Sequence, residues 1–185
     1  MISMNTVTWI ITAICCMLIL FYPSYVDGDD YNRKNWIHWS DEDKDGINTR
    51  QEVLIEESNP DSLVILTVSA KKIKIVKGFW VCPFTGDTIT NPRELDVDHL
   101  VPLKHAYDHG ANRWNKKKKK EFANYLKDPD HLVAVKASAN RQKGAKHPGE
   151  WMPSVNQSWY VNSFFRIKRE WNLEIDMDEI PKEIK

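Results

Sequence analysis

Cysteine is scarce in this sequence. There are three in 185 residues, and Cys15 and Cys16 lie inside an apolar N-terminal run. Without that run Cys82 stands alone, which excludes an intramolecular disulfide framework and a cysteine zinc site in the mature chain. A small buried hydrophobe is the expectation for Cys82. An excess of charge of one sign is also missing, with 26 basic residues against 26 acidic ones. Global charge therefore does not mark a nucleic-acid binder. The distribution is less even. Lys116–Lys120 is an unbroken run of lysine, and Lys136, Arg141, Lys143 and Lys146 follow. Internal repeats and long low-complexity linkers are absent as well, so the expectation is one ordinary domain with a core rich in tryptophan.

Long hydrophobic runs are absent but for one. Val7–Tyr22 is apolar and uncharged. Its length suits the apolar segment of a signal peptide and is short for a membrane span. Val26 and Gly28 form a candidate cleavage pair. No Lys or Arg precedes the run. Two readings of residues 1–28 stay open, a cleaved signal peptide or an uncleaved N-terminal anchor. Under both, residues 29–185 form an exported domain, secreted or periplasmic, that meets a membrane only if the segment stays attached.

Periodicity sets the elements. "KIKIVKG", "FWV" and a turn over 83–87 predict strands and a hairpin. "LDVDHLV" alternates, with Leu95, Val97 and Leu100 facing a core and Asp96 and Asp98 the other side. "LKHAYDHG" predicts a short helix ended by Gly110, and "NRWNKKKKKEFANYL" a second with Trp114, Phe122 and Leu126 on its apolar side. "HLVAV" reads as a strand and "KASANRQKG" as a short helix stopped by Gly144. Val155, Trp159 or Tyr160, Phe164, Ile167 and Trp171 recur at helical spacing. The class is α+β.

The chemistry concentrates in the order strand, Asp98–His99, connection, strand, helix with Asn140. Phosphodiester hydrolysis needs a base for water and a divalent cation for the scissile phosphate. A strand that stops between Asp98 and Pro102 can turn a carboxylate toward a metal and an imidazole toward water. An amide oxygen from Asn140 suits the same ion. Few protein ligands and several waters is the habit of Mg²⁺.

"DVDHLVPL" followed by "HLVAVKASANRQKG" resembles the HNH, or His-Me finger, endonucleases, and most closely the small exported proteins related to the GmrSD C-terminal domain. "NTRQEVLIEES" and "GEWMP" extend the likeness over roughly Trp36–Trp171. The resemblance implies a ββα-metal core with a flanking hairpin and helices, and Mg²⁺- or Mn²⁺-dependent hydrolysis of DNA. It gives His99 the role of general base and makes Asp98 and Asn140 the metal ligands. Arg141 and Lys143 become residues that contact the DNA backbone or position the helix. His131 falls near the middle position of the HNH triad, commonly Asn, where it either holds the base-bearing loop or itself titrates.

Two other sets of candidate ligands stand apart. Asp41–Glu52 fits D-x-D-x-D-G-x5-E. Asp41, Asp43, Asp45 and Glu52 can supply carboxylates to Ca²⁺, with Gly46 at the sharp turn. The plainer reading is an acidic loop in which Asp45 or Asn48 caps the next helix. His105 and His109 lie four apart, a zinc spacing. No Glu stands between them and Gly110 follows, so they are read as surface or capping residues. The rival to an enzyme is an exported module that holds DNA or calcium without cutting.

Overall fold

The protein is described here by a computed structural model, which covers residues 30–69 and 72–182. The proposed signal or anchor, residues 1–28, lies outside the described residues. The compact unit runs Tyr31–Lys185 and is mixed α+β, with three small antiparallel sheets and five α-helices among the described residues. None of these helices is long and apolar enough to cross a membrane.

The lead-in makes one 3₁₀ turn, Arg33–Asn35, whose first free N–H groups are met by the Asn32 side chain. The acidic loop follows. Helix α1 (Thr49–Glu56) starts where Asn48 accepts the Gln51 N–H and the Gln51 side chain returns the bond, a reciprocal cap. Strands β1 (Val64–Ser69) and β2 (Lys72–Lys77) form an exposed hairpin. A second, two-residue pair follows, β3 (Trp80–Val81) with β4 (Thr88–Ile89). Gly78 permits the close approach of Trp80, because a Cβ at that position would lie 2.3 Å from the indole. Trp80 is buried and donates its Nε1–H to Leu54 O of α1 at 2.9 Å.

The central pair is β5 (Leu95–His99) against β6 (Leu132–Lys136), with His99 opposite Leu132 and Leu95 opposite Lys136. Between them run α2 (Leu103–Asp108) and α3 (Lys116–Ala123), and α4 (Ala137–Lys143) follows β6 directly. α1 and α4 both pack on this pair. It is therefore covered on two sides, which explains why β6 buries Leu132, Val133, Ala134 and Val135 in succession instead of alternating.

Expected and observed burial differ at four places, one of them Val155, which is 36% exposed and precedes the last α-helix. Leu95, Val97 and Leu100 are buried as their spacing predicts, but so is Asp98. β5 also continues through His99 in regular register, so the pair is not freed by an early strand end. Leu126, placed on the apolar side of its helix, is 43% exposed because α3 ends at Ala123 and the chain turns away. Helix α5 (Gln157–Glu170) buries Tyr160, Phe164 and Ile167, but also Lys168. Trp36, Phe122, His131 and Trp171 close the core, with Phe122 edge-on to Trp171 at 5.0 Å and to His131 at 4.5 Å. Each such ring pair adds about 0.5–1.5 kcal/mol beyond its buried area.

Candidate functional site

A pocket of about 270 Å³ opens where the end of β5 meets α4. Its lining includes Tyr31, Arg33, Asp98, His99, Lys104 and Asn140. Larger hollows flank α1 and α3, but none of the residues lining them is a histidine.

His99 is buried, and its Nε2 lies 2.9 Å from Ala123 O. A carbonyl only accepts, so Nε2 carries the proton and the neutral ring keeps its lone pair on Nδ1. Nδ1 makes no hydrogen bond to the described residues. Burial holds the pKa of His99 well below the ordinary histidine value. The nearby His131, Arg33 and His38 push the same way, and the Ala123 contact opposes them. The ring is therefore a neutral base at neutral pH. The Trp39 indole stacks on it at 5.5 Å with 27° between planes.

Asp98 is also buried, and its Oδ2 lies 2.8 Å from Lys143 Nζ. Burial raises the pKa of Asp98 and lowers that of Lys143, and the contact between them offsets both. Lys143 Nζ also donates to His99 O at 3.1 Å. With no exposed side-chain surface, Lys143 is not the DNA-backbone contact its motif position implied. It fixes α4 to the end of β5 instead. Arg141 is exposed on the same helix. Asn140 donates Nδ2 to Asp96 Oδ2 at 3.0 Å, which leaves its amide oxygen uncommitted.

His131 does not hold His99. Its Nε2 donates to Phe122 O at 2.7 Å, and burial lowers its pKa to about 4. A ring neutral at working pH and aimed at α3 is neither a second titrating base nor a direct brace. Its backbone does touch the loop, because Leu100 N donates to His131 O at 3.1 Å. The last carbonyls of α3 thus receive both imidazoles, Phe122 O that of His131 and Ala123 O that of His99.

The helix pair His105 and His109 is not a surface feature. His105 is 4% exposed, and the two rings stack at 3.8 Å. Both face Glu179, with His109 Nε2 at 3.1 Å from Oε1. Three such donors can hold a metal by distance alone. Lys168 already sits among them, fully buried, 2.6 Å from Glu179 Oε2 and 3.0 Å from His105 Nε2. An ammonium has three protons, and the two Glu179 oxygens and His105 accept them. A zinc ion about 2 Å from the same donors has no room beside it.

Asp41, Asp43 and Asp45 are exposed and bring carboxylate oxygens within 4.8 Å of one another. Gly46 N–H donates to Asp41 Oδ2 at 3.1 Å, with Gly46 in the left-handed region at φ 92°. Asn48, not Asp45, caps α1. Burial raises the pKa of Glu52, and the three aspartates add to the shift.

Several residues of the site escape motif reading. Lys104 follows the Asp-His motif closely enough to have been suspected. Arg33, Tyr31 and Trp39 lie more than fifty residues upstream with no local signal, and the Ala123 carbonyl is invisible to any reading of side chains. Comparison with known proteins adds little chemistry. No family model matches the chain, and no solved structure matches it. The chain is similar to a protein of Arthroderma benhamiae described as an uncharacterized secreted protein. The two are 29% identical over 153 residues, which cover 82% of this chain and 71% of that one.

Proposed function

We propose that the protein is an exported, metal-dependent endonuclease that hydrolyses phosphodiester bonds in DNA, with β5, β6 and α4 as its ββα-metal core of the HNH type. The observation that carries the reading is the state of His99. A buried imidazole is held neutral, with its proton committed to Ala123 O and its lone pair on Nδ1. Asp98, Asn140 and two cationic side chains line the same pocket. That is what a general base for water requires.

In this reading His99 Nδ1 takes a proton from water as the water oxygen attacks phosphorus. The bond to the 3′-oxygen breaks, leaving 5′-phosphate and 3′-hydroxyl ends. The amide oxygen of Asn140 and the Asp98 oxygen not paired with Lys143 are the donors that would hold the ion. An oxygen-only set of this kind suits Mg²⁺ or Mn²⁺. When bound, the ion supplies charge stabilisation at the phosphate and the leaving oxygen. Asp96 orients the Asn140 amide. Arg33 and Lys104 replace Lys143 as the phosphate contacts, and exposed Arg141 remains one. The Val7–Tyr22 run and the secreted description of the relative support export.

A plasmid-nicking assay tests the reading. Mg²⁺ or Mn²⁺ supports cutting, EDTA stops it, and His99→Ala removes it while DNA binding survives. No cutting with either ion, or full activity in His99→Ala, rejects it. The alternative, a module that binds without cutting, predicts retention of DNA with no new ends.

The acidic loop supports a separate role for Ca²⁺. Its carboxylates converge, and Glu52 lies close enough to feel them. Millimolar Ca²⁺ then raises the melting temperature, and Asp41→Asn removes the shift. An unchanged transition discards this role.

A further inference from the structure

We propose that Trp39 and Asn124 form a positioning device for His99, in which Asn124 clamps the turn that presses the Trp39 indole onto the imidazole. The inference rests on His99 being the general base.

Trp39 has a backbone φ of 59°, in the left-handed region that a bulky residue rarely enters. Such a conformation persists only where the surroundings impose it, and it gathers at functional sites. The imposition is visible on both sides of Trp39. Asn124 Nδ2 donates to Ile37 O at 2.7 Å, before the turn. Ser40 N donates to Asn124 Oδ1 at 2.9 Å, after it. Asn124 Nδ2 also reaches Lys120 O at 2.8 Å, which ties the clamp to α3. The far end is braced again by Thr49 N, which donates to Ser40 O at 3.0 Å. One amide therefore spans the strained turn.

The next residue back along the chain is Ala123, whose carbonyl receives the His99 Nε2–H. The segment Ala123–Asn124 thus governs the ring twice. Ala123 selects the tautomer that leaves Nδ1 as the base. Asn124 holds the indole over one ring face and keeps water off it. A C-terminal helix cap alone has no need of a tryptophan stacked on an imidazole 27° from parallel. The charged and titratable groups near His99 are Arg33 and His38 of the lead-in, His131 just before β6, and Asp98 and Lys143. Against this fixed background the indole holds the orientation of the ring.

The test uses the full chain, with 15N-labelled imidazoles followed by NMR beside the nicking assay. In Trp39→Ala, water reaches the ring. The 15N shifts of His99 then show that the ring no longer keeps the single Nε2–H tautomer that Ala123 O selects. kcat falls about tenfold with KM within twofold, a fraction of the ~10²–10⁴ that a general base supplies. Trp39→Phe restores both. Asn124→Ala gives the same pair of changes, and Asn124→Asp, which keeps the Ser40 and Thr49 contacts but loses those to Ile37 and Lys120, lies between. Circular dichroism and the melting curve identify any variant that fails to fold. Trp39 is only partly buried and is the variant to rely on in that event.

An unchanged His99 tautomer and unchanged kcat in folded Trp39→Ala overturn the proposal. So does an equal loss in Trp39→Phe and Trp39→Ala. A wild-type chain that never cuts DNA removes the nuclease reading instead. The 15N spectrum then still decides whether Trp39 and Asn124 fix the tautomer of His99.

Discussion

Histidine, carboxylate and lysine meet twice in this chain, and the two meetings are not equivalent. At the end of β5, Lys143 pairs with Asp98 and with a backbone carbonyl, and leaves the His99 ring alone. Under α5, Lys168 donates to Glu179 and to His105 together, and every acceptor there is used. One cluster borders a pocket and keeps a basic nitrogen in reserve. The other has no such reserve. Side-chain type says little about chemistry. What matters is which donors remain unspent once the interior is satisfied.

His99→Ala makes the sharpest break in this comparison. Loss of the base costs roughly 10²–10⁴ in rate. The nicking assay reads it, and retained DNA binding shows that the variant is folded. Lys168→Met does the reverse. It leaves Glu179 buried without its cation, which costs about 3–5 kcal/mol of stability. Chemical denaturation measures that loss, and zinc added to the wild type gives no stabilisation. Zinc-dependent stabilisation of the wild type would show that the ammonium does not own the site.

Acid gives a smaller effect. Folded His131 titrates at about 4 and its unfolded form near 6.5, so the unfolded state binds more protons between those values. Stability is full above about pH 6.5 and is lost as the pH falls toward 4, by on the order of 3 kcal/mol for this group. His99 and His105, both lowered by burial, add in the same direction. His109 is raised, chiefly by its Glu179 contact, and acts oppositely above pH 6.5. His131→Gln flattens the acid limb of a denaturation series, and a limb of unchanged slope rejects the assignment. The smallest effect is at the surface. Asn115 caps α3 by accepting the Lys118 N–H at 2.9 Å, and Asn115→Ala costs about 1 kcal/mol.

Much of the fold was legible in short windows. The β5 and β6 runs, the Gly110 and Gly144 stops and the amphipathic α5 all follow from local periodicity and glycine's tolerance of positive φ. Of the two roles the resemblance offers Lys143, DNA-backbone contact or helix positioning, only the second fits its buried ammonium. Its burial depends on Asp98, 45 residues away. His105 was misread for the same kind of reason, since Glu179 and Lys168 arrive from the far end of the chain.

The sequence alone determined which elements form and which residue types stand at the end of β5 and on α4, because propensity, capping and alternation act over a few neighbours. Only the tertiary structure decided which imidazole borders the pocket and which lysines are sealed inside. Hydrogen-bond satisfaction in the interior depends on partners drawn from distant segments, and no local window contains them.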